Sequence, residues 1–103
     1  MSLVQEHCPA KVAQLSAAEV QVLLAEVKDW SVTNGKLVKT FRFSNYYETL
    51  AFVNASAYVS HREDHHPELH VCYNSCEVAY DTHSVKGLSR NDFVCAAKLD
   101  ALV

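Results

Sequence analysis

Four of the six histidines stand at positions 61, 65, 66 and 83, and imidazole is the side chain whose ordinary pKa lies closest to neutral pH. The run His61-Arg62-Glu63-Asp64-His65-His66-Pro67, with Thr82-His83 further along, therefore offers metal ligation or proton transfer. His61 and His65 have the spacing that shares a helix face, and His70 could add a third ligand to a zinc ion. Three features weigh against zinc. No H-E-x-x-H pair occurs, the cysteines lack ligand spacing, and Pro67 ends a helix ahead of His65, which removes the i, i+4 geometry. Acid/base work without a metal is the better reading. A polar helix terminus, where positive charge suits the last carbonyls, accounts for one histidine of the pair but not for two with a third nearby. His7 and His70 need no such role, and Asp92 reads as a helix cap rather than a catalytic acid.

What brings His83 to the pair is a hairpin. Leu69 to Thr82 alternates apolar and polar residues about Asn74-Ser75. A two-residue loop there pairs Tyr73 with Cys76, Val71 with Val78 and Leu69 with Tyr80. Those six then share a core face, with Glu68, His70, Glu77 and Asp81 on the other. Continued outward, the register sets His66 opposite His83, with Cβ atoms about 4.5–5.5 Å apart. Pro67 cannot donate to the ladder, so that end is an edge or frayed.

Other elements must hold this hairpin. Residues 1 to 14 read as a loosely held tail. Ser16-Ala17-Ala18-Glu19 is a capping box, and Val20, Leu23, Leu24 and Val27 follow as one apolar stripe, so a helix is expected over Ala17 to Lys28. Trp30 to Phe43 is a hairpin turning at Asn34-Gly35, with Val32 opposite Leu37 and Trp30 opposite Lys39. Lys39 interrupts the apolar alternation and is expected at a sheet edge. Ser44 can cap a helix over Asn45 to Arg62, apolar on two sides: Tyr47, Leu50, Ala51 and Tyr58 on one, Phe52, Ala55 and Val59 on another. The second side suits self-association, as a homodimer or homotetramer. Ser89 opens a last helix with Asp92 at the third position. The order α-β-β-α-β-β-α gives an α+β fold: a four-stranded antiparallel sheet with helices packed on one face.

Size and charge narrow the rest. A chain of 103 residues, half of them hydrophobic, makes one domain with one core. A net charge of -3 without any Lys/Arg-rich run leaves no electrostatic footprint for direct nucleic-acid binding. No apolar stretch approaches the ~20 residues of a membrane span, and Met1 to Ala10 lacks a signal-peptide core, so a cytoplasmic protein is expected. Cys8, Cys72, Cys76 and Cys95 then read as structural thiols rather than a disulfide framework.

The pattern His61-x3-His65-His66-Pro67-x5-Tyr73-x9-His83-x8-Asp92, with Thr82 before His83 and Gly87-Leu88-Ser89 after it, resembles the signature of the pterin-4a-carbinolamine dehydratases. The likeness is close over residues 61 to 92, and the order of elements agrees on both flanks. It implies a single dehydratase-like domain over residues 1 to 103. The implied reaction converts 4a-hydroxytetrahydropterin to quinonoid dihydropterin plus water, recycling the cofactor of aromatic amino-acid hydroxylases, with no metal and no cofactor of its own. By resemblance His65, His66 and His83 are catalytic. Asp64 to His66 and Asp81, Thr82, His83 and Ser84 hold the pterin, and Trp30 borders the pocket. Many relatives carry an acid where this chain has His61, and some an arginine where it has Asn91. Animal members also act as dimerisation cofactors of a homeodomain transcription factor. That role is the alternative reading here and would imply a nuclear location as well.

Overall fold

The computed structural model describes residues 2–103. Helix α1 (Ala17–Leu24) precedes strands β1 (Ser31–Thr33) and β2 (Lys36–Arg42). Helix α2 (Tyr46–Glu63), strands β3 (Glu68–Val71) and β4 (Ser75–Tyr80), and helix α3 (Arg90–Asp100) follow. The sheet is antiparallel in the order β1-β2-β4-β3, and the expected α-β-β-α-β-β-α arrangement is the one observed. No helix among the described residues is long and apolar enough to cross a membrane.

Local chemistry fixes the element ends. Ser16 and Glu19 form the reciprocal capping box that starts α1. The helix stops at Leu24, four residues short of the expected Lys28, and a turn then carries Val27 into the core. Asn34 and Gly35 both hold positive φ (53° and 77°), the signature of a type I′ turn, so Val32 faces Leu37 as read. The cap of α2 is Asn45, not Ser44: its side chain accepts from the Glu48 N–H, while the Ser44 N–H donates to Glu48.

One sheet face carries the core. Leu37 and Phe41 of β2 and Cys76, Val78 and Tyr80 of β4 are buried, and Phe93, Cys95, Ala96 and Leu99 of α3 close over them. Helix α2 contributes Thr49, Phe52, Ser56, Val59 and Glu63, spaced three and four apart on one face. The Phe52 ring packs tilted against Phe41 with centres 4.5 Å apart, and burying such a ring stabilises by roughly 1.5–3 kcal/mol. Phe52 and Val59 are thus core residues, not the outward stripe expected to meet a second copy. The outward face carries Tyr47 and Tyr58, 81% and 64% exposed.

Three further expectations fail. The second hairpin pairs Val71 with Cys76 and Leu69 with Val78, a register two residues from the one read. Its loop is Tyr73-Asn74, closed by the Cys72 N–H on the Ser75 carbonyl at 2.8 Å. Because the shift is even, every residue keeps its face. Tyr73 nevertheless leaves the core for the loop, where its ring stacks on Tyr46 at 6.1 Å. Lys39 lies not on an edge strand but on inner β2, opposite Val78. Its ammonium is satisfied by Asp100 at 2.8 Å and sits 4.6 Å from the Phe41 ring centre.

The third correction concerns the N-terminal segment, which is a strap rather than a tail. Leu3, in a short 3-10 turn (Leu3–Gln5), is buried in the core. Arg90 pairs with Glu6 through two bonds, Lys98 donates to the Val4 carbonyl, and Asn91 donates to the Pro9 carbonyl. Low hydropathy hid these anchors, because each joins a strap residue to a polar group on α3.

Candidate functional site

Helix α2 ends just before the histidine pair. Asp64 adopts the left-handed conformation (φ 51°). Its N–H bonds the His61 carbonyl, and the His65 N–H reaches the Ser60 carbonyl at 3.1 Å. This double closure is a Schellman motif. It swings the chain off the helix axis, so His61 stays on the exposed helix surface while His65 and His66 enter a loop. The loop delivers Pro67 to the start of edge strand β3, where its missing N–H costs nothing.

His65 is the fixed member of the pair. Its ring stacks on Tyr80 at 5.7 Å, and its Nε2 lies 2.6 Å from Asp92 Oδ1. Asp92 is fully buried, and its other oxygen accepts from the Thr82 hydroxyl and the Ser89 N–H, both at 2.9 Å. With the Thr82 proton directed at Asp92, the Ser89 hydroxyl 2.7 Å away donates to Thr82. A carboxylate so placed accepts from every neighbour. His65 Nε2 therefore carries the proton, and Nδ1 is the nitrogen free to exchange one. Asp92 both caps α3 and sets the His65 tautomer, where the sequence suggested the cap alone.

His66 and His83 are exposed. His83 opens the 3-10 turn His83–Val85, which a bridge between Thr82 and Gly87 closes, and its Nε2 lies 3.5 Å from Asp81 Oδ1. The corrected register places His66 level with Asp81 rather than His83, yet both remain at one end of the sheet. There a cavity of about 640 Å³ is lined by Asp64, His65, His66, Asp81, Thr82, His83 and Ser84. Seven of the eight sequence-selected site residues thus share one wall. Trp30 is the exception. It is buried against Phe41 and Tyr80, and its indole N–H donates to Asp100 at 3.0 Å, so it anchors the core away from the cavity.

Against this geometry stand the comparisons with known proteins. The family model described as pterin 4 alpha carbinolamine dehydratase matches residues 13–102. The chain belongs to this dehydratase family. A relative from Nitrosospira multiformis, named "Putative pterin-4-alpha-carbinolamine dehydratase", is 50% identical over 95 residues, covering 92% of this chain and 84% of its own. The crystal structure of a transcriptional coactivator/pterin dehydratase from Brucella melitensis superposes with a TM-score of 0.83 at 27% identity, over 86% of this chain and 97% of that one. A pterin dehydratase-like protein identified as a RuBisCO assembly factor in the alpha-carboxysome follows, with a TM-score of 0.59 at 26% identity over 71% and 84%.

The dehydratase-family cavity has a second wall that sequence reading missed. Cys8, Pro9, Ala10 and Val12 of the strap line it together with the histidines, as do Glu63 and Asn91. Glu63 holds the strap: its side chain, 2% exposed, accepts from the Cys8 N–H at 2.9 Å and contacts His7 Nδ1 at 3.0 Å. Burial pushes the Glu63 pKa up, but the bonds from Cys8 and His7 and the nearby Lys98 outweigh it and bring the carboxyl below its ordinary range. On the opposite rim Lys36 pairs with Glu68. Only a buried acid at a helix end, out of phase with solvent-facing Arg62, could have signalled Glu63 from the sequence.

Proposed function

We propose that this chain dehydrates 4a-hydroxytetrahydropterin to quinonoid dihydropterin, with His65, His66 and His83 exchanging the protons. The observation that carries the reading is the meeting of all three imidazoles on one cavity wall in a chain of this family. Loss of hydroxide from C4a needs a proton donor, and the N5 proton needs an acceptor. His65, held through Nε2 by Asp92, offers Nδ1 in a fixed place. His66 and His83 are exposed and can re-equilibrate with water between turnovers. Asp64 and Asp81 supply carboxylates and Ser84 a hydroxyl suited to the amino and amide edge of a pterin, with Thr82 lining the cavity beside them. No metal or cofactor has a part in the reaction as proposed, and the cytoplasm is where such recycling belongs. The test follows the 4a-carbinolamine absorbance with and without protein. Decay no faster than the spontaneous rate overturns the proposal.

A second reading, an interaction module, draws on Tyr46, Tyr47 and Tyr73, exposed rings clustered where α2 begins beside the β3–β4 loop, and on exposed Tyr58 further along α2. That surface also suits assembly into a homodimer or homotetramer. Full dehydratase activity in a variant lacking these rings separates the two readings.

A further inference from the structure

The strap carries a thiol that the dehydration chemistry does not use. Cys8 lines the cavity and is half-buried, while Cys95 on α3 has no exposure. Their sulfurs stand 3.7 Å apart, and the Cys8 S–H also reaches the Asn91 carbonyl at 3.8 Å. Among the described residues this is the thiol–thiol contact within hydrogen-bonding reach. It joins residues 87 apart in sequence across the seam between strap and helix.

We propose that Cys8 and Cys95 form a dithiol–disulfide site that takes a hydroperoxide as oxidant and staples the cavity's second wall to α3. The chemistry has two steps. The Cys8 thiolate attacks the peroxide's terminal oxygen, the O–O bond breaks, and Cys8 becomes a sulfenic acid as the alcohol or water leaves. Cys95 sulfur then attacks Cys8 sulfur, the S–OH bond breaks, and the Cys95 proton leaves with the hydroxyl as water. Two thiols lose two electrons in all, and the peroxide gains them. The sulfurs must close from 3.7 Å to about 2.05 Å, a movement the strap can supply because it rests on side-chain bonds rather than on a strand. Cys8 acts first because it is the thiol an oxidant can reach from the cavity. Its hydrogen bond to Cys95, and then burial, push the Cys95 thiol pKa up, so Cys95 serves as the resolving partner and not as the initial nucleophile.

The experiment uses the full chain carrying Cys72→Ser, which removes the exposed thiol at the β3–β4 loop, with hydrogen peroxide as the probe. The expected product is lighter by about 2 Da, with one Cys8–Cys95 link in the non-reducing peptide map that dithiothreitol reverses. Limited trypsin cleavage after exposed Lys11 should then leave residues 1–11 attached until reduction. In Cys8→Ser, Cys95 should stay a thiol. The proposal is overturned if dimedone traps Cys8 sulfenic acid while Cys95 remains reduced. It is equally overturned if the link runs to Cys76 or to another chain, or if Cys95 is consumed in Cys8→Ser as fast as in the parent. None of these readouts depends on turnover of a pterin.

Discussion

Asp92→Asn is the substitution that separates holding His65 from merely filling space. The buried carboxylate accepts from His65 Nε2, the Thr82 hydroxyl and the Ser89 N–H. An amide of the same shape has one accepting end. If its NH2 faced Ser89, two donors would meet at 2.9 Å, so the oxygen must take that side and the NH2 must face His65. The imidazole is then forced to accept at Nε2 and to carry its proton on Nδ1, the reverse of the wild-type tautomer. Replacing an ionised acceptor by a neutral one weakens charge-assisted bonds worth roughly 1.5–3 kcal/mol each, and since an accepting oxygen remains for two of them, a stability loss of about 2 kcal/mol is expected. The rate should fall by roughly 10²–10⁴-fold, the contribution of one well-placed proton-transfer group. Carbinolamine absorbance gives the rate, denaturant melts give the stability, and nitrogen shifts of the His65 ring report the tautomer. A variant with the reversed tautomer and the wild-type rate would refute the reasoning.

Four further outcomes are expected. His83→Ala and His66→Ala should each lower turnover about 10²-fold or more while shifting stability by no more than about 0.5 kcal/mol, since both are exposed. His70→Ala on the open sheet face should leave the rate unchanged, and equal losses at all three positions would argue against a local site. Glu63 has a folded pKa below its unfolded one, so its hold on the strap is complete above the unfolded value and is lost as pH falls through the folded value. The protection factor of the Cys8 amide should therefore fall as pH drops below about 4.5, and Glu63→Gln should flatten that dependence. Asp64→Gly relieves a left-handed aspartate and should gain up to about 1 kcal/mol in denaturant melts, yet weaken pterin binding in a titration if the carboxylate touches the ring. Dialysis against a strong chelator should leave the rate unchanged; a loss restored by zinc would return the histidines to a metal role.

Where the sequence was legible, one local rule decided the outcome. The Asn34-Gly35 turn sets its hairpin because two successive positive φ values leave little choice of register. The Ser16 and Ser89 boxes set helix starts because each satisfies two backbone donors at once. Asn74-Ser75 misled because neither residue is held to positive φ: the loop moved to Tyr73-Asn74 once Cys76, Val78 and Tyr80 had found the core. Tyr73 had looked like core on alternation alone. Lys39 and Trp30 were misplaced for a shared reason. Asp100, 61 and 70 residues away, satisfies both, and no local pattern announces a partner at that distance.

The meeting of the three histidines at one cavity was insensitive to these errors because of what each error could change. A register slip of two residues moves partners along the strand but never exchanges faces, so His66 and His83 stayed at the same end of the sheet. The parts of the site that went unread are those built from long-range polar contacts: Asp92 to His65 across 27 positions, Glu63 to Cys8 across 55, Asn91 to Pro9 across 82. Each ties a loop or strap to a side chain at a helix end: Asp92 meets the His65 ring, Glu63 accepts from the strap N–H of Cys8, and Asn91 donates to the strap carbonyl of Pro9. The loops that carry the histidines are set by local chain geometry, through the Schellman turn after α2 and the 3-10 turn after β4, and Asp92 then fixes the His65 ring. The strap that lines the cavity with them is set by distant bonds. The strap's lining residues accordingly depend on the Glu63 carboxylate, a titratable group, where the histidine loops depend on backbone turns and on Asp92.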